Sequence, residues 1–291
     1  MNRSTACTLA GTAALALTAT MVAGPAGAAK PREDVKGPYA VGLTNGQRLV
    51  AFSLSTPERT RGIGRVSGLS GDTKIVGIDY RVQDNRLYGV GDEGGVYRIR
   101  TRDARAVKVS QLTVALEGTK FGVDFNPAAD RLRIIGNTGQ NLRHDVNPGG
   151  ATLVDGTLTY PATPTTPAAT ADGVSGSAYT NNDLAMGTGT SLFDLDTNLD
   201  QVALQAPANA GPLSPTGKLG VDAGASAGFD IHSDVRGDAT VDNHGYATLS
   251  VGGRFRLYTV SLLTGDVTYE GRFPAYRQVS DIAVRLDRNP R

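Results

Sequence analysis

The sequence predicts an all-β fold, a five-bladed β-propeller closed by pairing the C-terminal strand with N-terminal strands. Three observations carry that expectation. A short strand phrase recurs five times at a blade-sized interval. The acids are those of turns rather than helices. The last repeat is cut short, and the strands that would complete it stand near the other end of the chain.

The recurring phrase is IVGIDY at 75–80, echoed by KFGVDF at 120–125, VSGSAY at 174–179, SAGFDI at 226–231 and VSDIAV at 279–284. Gly77, Gly122, Gly176, Gly228 and Asp281 take matching places, 45, 54, 52 and 53 residues apart. Periods of this size belong to propellers or solenoids. A turn and a second strand follow each first strand: Asp84-Asn85-Arg86 leads into LYGVG, Asp130-Arg131 into LRIIG, and Asn182-Asp183 into LAMGT. Third and fourth strands are clearest as RLYTV at 256–260, a turn through Thr264-Gly265-Asp266, and VTYEG at 267–271. The chain has 23 Asp against 5 Glu. Asp serves turns through its short acceptor side chain, whereas Glu favours helices, so the ratio fits a turn-rich β protein.

The fifth repeat begins at 279–284 and stops at Arg291. Its complement is YAVGL at 39–43, the turn Asn45-Gly46, RLVAF at 48–52 and a strand near 62–66. A solenoid has no reason to divide one repeat between its ends, whereas a ring hides its strand edges that way. Residues 39–291 are therefore expected to form one propeller domain. Two proline-rich segments, 160–170 (YPATPTTPAAT) and 206–218 (APANAGPLSPTGK), are expected as long surface loops joining blades two to three and three to four.

Residues 1–28 read as a signal peptide. Arg3 precedes an apolar stretch at 6–22, and Ala26-Gly27-Ala28 offers small residues for cleavage. The stretch is diluted by Thr8, Thr12, Thr18 and Thr20 and is too short to span a bilayer, so export without a membrane span is expected. Residues 29–38 form a polar, flexible lead-in. Cleavage removes Cys7, the only cysteine, and with it any thiol chemistry. The balance of 29 Lys+Arg and 28 Asp+Glu argues against nucleic acid, which needs a basic surplus. A secreted, cofactor-free monomer is the expectation, with an extracellular protein or cell-wall polymer as its partner.

The repeats carry phrases more specific than a generic propeller needs. FGVDFNPAADRLRIIGNTGQNLR at 121–143, GLTNGQRLVAF near the N-terminus, LVDGTLTY at 153–160, GSAYTNN at 176–182, LGVDAGASAGFDI at 219–231 and LYTVSLLTGDV at 257–267 together resemble the bacterial domain-of-unknown-function 4394 family. The resemblance spans about 39–287 and implies a secreted, propeller-like domain. It implies no catalytic residue.

Chemistry centres on the acids of the first strands. Asp79, Asp124 and Asp230 share one place in three repeats, where the others have Ala178 and Ala283, and Asp281 lies two residues from the fifth. A ring would converge them on a central channel. There they are candidates to bind a ligand, to hold calcium, or to work as a general acid and base of an extracellular hydrolase acting on glycans. The alternative is that each bonds backbone amides and fixes blade geometry, and recurrence with the blade favours it. His232 lies two residues beyond Asp230 and joins the candidate list. Asp194, Asp196, Asn198 and Asp200 alternate like a calcium loop but lack its glycine and its final glutamate. Residues 91–95 (GDEGG) carry two acids that would repel a phosphate and read as a hairpin. Charge is uneven: 81–108 and 251–291 are basic, whereas 172–242 holds ten Asp with only Lys218 and Arg236. The basic sector suits an anionic wall polymer. The reading is a non-catalytic binding module, with the hydrolase as its alternative.

Overall fold

The computed structural model describes residues 38–44 and 47–287. The signal segment, all of the lead-in except Pro38, and the Asn45-Gly46 turn lie outside the described residues. Within them the chain is all β, with no helix and therefore none long and apolar enough to cross a membrane.

Five four-stranded antiparallel sheets form a five-bladed propeller arrangement. Blade I is Ile75–Arg81, Arg86–Gly91, Gly95–Ile99 and Ala106–Gln111, innermost strand first. Blade II is Phe121–Asn126, Arg131–Gly136, Asn141–His144 and Thr152–Val154. Blade III is Val174–Tyr179, Leu192–Asp196, Gln201–Gln205 and Leu213–Lys218. Blade IV is Ala227–Arg236, Ala239–Val251, Arg254–Val260 and Val267–Arg272. Blade V draws on both ends of the chain: Asp281–Val284 pairs with Tyr39–Thr44, which pairs with Arg48–Ser53 and then Arg61–Arg65. In that sheet Ala40 stands opposite Val284, and Leu43 opposite Asp281.

Two expected connections differ. LAMGT is not a strand. Leu184 and Met186 stand exposed, and residues 180–191 form a loop pinned by the Thr180 amide on the Ser191 carbonyl and by Thr190 Oγ on the Thr180 carbonyl. The second strand of blade III is instead Leu192–Asp196, whose alternating apolar residues fill the core. The segment 206–218 does not join blades three and four. It connects the third and fourth strands of blade III and supplies the fourth, where Pro215 is tolerated because that strand is the outer edge. The segment 160–170 does run between blades II and III, exposed over 161–170 and anchored by a small pairing of Thr159–Tyr160 with Ala169–Thr170.

The hydrophobic core is a ring of five clusters, one at each seam between blades. Leu43, Ile78 and Tyr97 fill the seam V/I; Tyr88, Val123 and Phe125 fill I/II. Phe193, Phe229 and Tyr258 fill III/IV, and Phe52, Leu257 and Ile282 fill IV/V. The cluster at II/III is small, built on Ile135, Val174 and Leu213. Beside it lies a buried polar network. Arg133 donates from Nη1 to Asp155 Oδ2 (2.6 Å) and Asn141 Oδ1 (2.7 Å), from Nη2 to Asn209 Oδ1 (2.7 Å), and from Nε to the Tyr179 hydroxyl (3.1 Å). A buried guanidinium is tolerated only when its donors are matched in this way.

The inner strands approach so closely that their recurring position is glycine. A Cβ on Gly77 would lie 2.3 Å from Val123 Cγ2; on Gly122, 2.6 Å from the Ser177 nitrogen; on Gly228, 2.5 Å from Asp281 Cα. Gly228→Ala should therefore cost about 1–3 kcal/mol by overpacking against backbone. Gly187→Ala, with nothing within 4 Å, should stay within about 0.5 kcal/mol of the parent. Urea unfolding midpoints measure both, and equal midpoints for the two variants would contradict the tight inner ring.

Candidate functional site

On each inner strand the residue two beyond the glycine position points to the same side, into the channel. Asp79, Asp124 and Asp230 meet there, with one carboxylate oxygen from each lying within 4.8 Å of the others. All three are buried, at 6%, 2% and 3% exposure. Each is bonded across a seam to the next blade. Asp79 Oδ2 accepts from the Phe125 amide (2.8 Å), Asp124 Oδ1 from the Tyr179 amide (3.0 Å), and Asp230 Oδ2 from the Val284 amide (2.5 Å). Asp281, one layer nearer the start of the strands, accepts from the Ile78 amide (2.8 Å). Four of the five seams thus carry a carboxylate strut.

The fifth seam, III/IV, has Ala178 at the strut position. It is stitched further along instead: Asn182 donates from its amide to Ser233 Oγ (2.9 Å) and from Nδ2 to the Ile231 carbonyl (2.8 Å). His232 stands apart from the carboxylate cluster. Its Nε2 lies 3.3 Å from Asp234 Oδ1.

The struts titrate abnormally because they are buried close together. Burial raises the Asp281 carboxyl to about 8 and the Asp230 carboxyl to about 7, against the amides that would hold them ionised. Burial also pushes Asp79 and Asp124 well above the ordinary carboxylate value, and each is raised further by the charge of the others. As a calcium cage the set is poor. Asp230 spends both oxygens on amides, Oδ1 on Ile231 (2.6 Å) and Oδ2 on Val284, whereas calcium takes six to eight oxygens.

The calcium-like run in blade III disperses. Asp194 accepts from Ser177 Oγ, Asp196 from the Tyr160 hydroxyl and the Asn198 amide, and Asp200 from the Ala223 amide. Residues 91–95 do form the hairpin between the second and third strands of blade I. His144 is a core residue, its ring nitrogens bonded to Thr152 Oγ1 (3.0 Å) and Ser110 Oγ (2.9 Å).

The channel has a mouth where the inner strands begin, the leading pole. A cavity of about 400 Å³ opens there. Every blade contributes to its wall, through Ile75, Phe121, Ser175, Ala227 and Ser280, and Asp281 forms part of its floor. Lys74 and Lys120 stand on its rim, and neither ammonium is paired with a carboxylate of the described residues. Ser226 and Ser250 add hydroxyls, and Phe255 an aromatic ring. No motif announces this site, because its wall is built from the first residues of the repeat phrases, such as Ile75, Phe121, Ser175, Ala227 and Ser280, together with the residues just before them.

The raised carboxyls have a consequence for stability. The folded chain keeps protons that an unfolded Asp, near 3.8, would release. Stability from these groups is therefore full below about pH 4 and is lost as pH rises through 7 to 8. The melting temperature should fall steadily from pH 5 to pH 9. Asp281→Asn, which keeps an acceptor for the Ile78 amide, should flatten that fall. A melting temperature that rises over this range would overturn the assignment of shared protons.

No curated protein matches the sequence. Among solved structures, a chain of a nidogen/laminin complex is similar at 10% identity and a TM-score of 0.48, over 87% of this chain and 100% of that one. A protein of unknown function from Bacteroides thetaiotaomicron aligns at 14% identity and a TM-score of 0.43, over 85% of this chain and 64% of that one. An auxiliary nutrient binding protein from Bacteroides ovatus aligns at 13% identity and a TM-score of 0.38, over 60% of this chain and 46% of that one. The family model described as domain of unknown function DUF4394 matches residues 48–283, most of the length, and the chain belongs to that family.

Proposed function

We propose that this chain is an exported, non-catalytic β-propeller that acts as an extracellular binding module and seats its ligand in the leading mouth of the channel. In this reading residues 1–28 are the export signal, and the shared blade V clasps the ring shut. The observation that carries it is the cavity of about 400 Å³ walled by all five inner strands. That volume falls within the range of about 300–1,000 Å³ in which proteins hold small ligands.

The lining points to the ligand's chemistry. Two ammoniums on the rim, unpaired with any carboxylate of the described residues, favour an anion, and four serines offer hydroxyl partners. An acidic sugar or a phosphate-bearing unit of a wall polymer meets both demands. The hydrolase alternative has less support. A glycosidase needs one carboxyl free to protonate the leaving group and another free to attack or to activate water. Here the carboxylates are buried and already bonded to backbone amides across the seams.

The test is titration of polyglycerol phosphate and of galacturonate oligomers into the mature protein by calorimetry, at about 50 mM and 500 mM salt. Saturable, salt-weakened binding that drops at least ten-fold in the Lys74→Glu/Lys120→Glu variant is expected. Absence of saturable binding to either polymer, or an unchanged affinity in the variant, would overturn the mouth as the site. A melting temperature raised by millimolar calcium and lowered by EDTA would instead make the channel carboxylates a cation site.

A further inference from the structure

The seam between blades V and I carries a groove walled by arginine. Two cavities of about 490 and 400 Å³ adjoin there, at the pole where the inner strands end. Both are bordered by Tyr80, Asn85 and Thr101, so they form one groove with two lobes. Each lobe is of the size in which proteins hold small ligands.

Arg86, Arg98 and Arg105 of blade I line the larger lobe. Arg61 and Arg285 of blade V line the smaller, brought together because that blade draws on both ends of the chain. All five are exposed, and no guanidinium among them is paired with a carboxylate of the described residues. The neighbouring Arg100 differs, since Asp103 takes it up. No acidic residue lines either lobe among the described residues. The fold does not need this gathering of like charge. The seam is already held by the apolar cluster of Leu43, Ile78 and Tyr97, and unpaired arginines repel one another.

Neutral polar groups stand where the lobes join. Tyr80 is only 6% exposed and its ring packs in the apolar cluster, yet its hydroxyl bonds to no described residue. A buried tyrosine hydroxyl normally has a partner. Burial pushes this one up to about 12, so it keeps its proton and can donate. The side chains of Asn85 and Thr101 also lack a partner among the described residues. The Asn85 backbone is fixed in a left-handed turn at φ 55°, with its amide on the Arg81 carbonyl (2.9 Å).

The groove therefore offers cationic forks at both ends and hydroxyl and amide partners between them. A guanidinium matches two oxygens of one oxyanion, and it is more weakly hydrated than an ammonium. That suits the weakly hydrated sulfate ester, whereas the leading mouth carries lysines. We propose that this groove binds a segment of a sulfated glycan, its sulfate esters on the arginines of the two lobes and its sugar hydroxyls on Tyr80, Asn85 and Thr101. The groove shares no residue with the leading mouth and lies at the other pole, so it stands whether or not the ligand proposed for the mouth binds there.

The experiment is calorimetric titration of a size-defined, sulfated heparin tetrasaccharide into the mature protein, at about 50 mM and 150 mM salt. One equivalent should bind, with affinity reduced at least ten-fold in Arg86→Glu/Arg285→Glu. Tyr80→Phe, which removes only the hydroxyl, should weaken it about three- to ten-fold. Both variants should melt with the parent, because the arginines are exposed and the hydroxyl has no partner in the fold. Arg254→Glu/Arg272→Glu makes the same change of net charge on blade IV and should leave the affinity nearly unaltered, as should Lys74→Glu/Lys120→Glu at the mouth. The fully desulfated tetrasaccharide should not bind. Absence of binding in the parent, unchanged affinity in Arg86→Glu/Arg285→Glu, an equal loss in Arg254→Glu/Arg272→Glu, or equal binding of the desulfated sugar would overturn the groove as the site.

Discussion

The structure depends on how closely five inner strands can approach one another. Glycine at one layer removes the side chain that would hold them apart, and the next channel-facing layer supplies carboxylates that reach over the seam to the neighbour's backbone. Neither device works alone. Without the close approach the carboxylates would not reach an amide; without the carboxylates, buried amides at the seams would be left unpaired, each at a cost of about 1–3 kcal/mol. The abnormal protonation of the channel follows from the same closeness. Several acids are placed in one small volume because each has a structural partner in the next blade, and they hold protons among themselves rather than tolerate mutual repulsion.

That arrangement explains why so much of the fold was legible and why some was not. The five phrases mark the inner strands because close packing allows few residues there, and the glycine position is a direct imprint of the neighbour's atoms. Asp79, Asp124 and Asp230 could be placed in one channel from spacing alone, and the recurrence that argued for a structural role matches their bonds to amides. Outer strands carry weaker marks. LAMGT has the apolar residues of a strand, yet Leu184 and Met186 face water, while the true second strand, Leu192–Asp196, hides behind an acidic pattern that mimics a calcium loop. In 206–218 the prolines masked an edge strand, since prolines speak against sheet interiors and are silent about edges.

The longest family phrase acquires a physical meaning as well. Arg133, Asn141 and Arg143 lie within it, Asp155 within LVDGTLTY, and all four converge at the seam II/III, where the apolar cluster is smallest. A buried guanidinium is demanding about its partners, so several positions far apart in sequence must stay matched together. The candidate sites are the reverse case. The leading mouth is assembled from one to five residues per blade, and His232 lies where blade IV breaks the repeat.

The two poles of the ring are unlike. At the leading pole the inner strands begin at an open, hydroxyl-rich mouth. At the other, the long hairpin of blade IV reaches partners on both sides: the Thr240 amide donates to Asp183 of the blade III loop (2.8 Å), and the Val235 amide to Asp287 beyond blade V (3.3 Å). Between the poles the buried carboxylates of Asp79, Asp124 and Asp230 come together. Two chemically different faces therefore flank one acidic centre, and a molecule meeting the ring from one side finds hydroxyls whereas one meeting it from the other finds a hairpin.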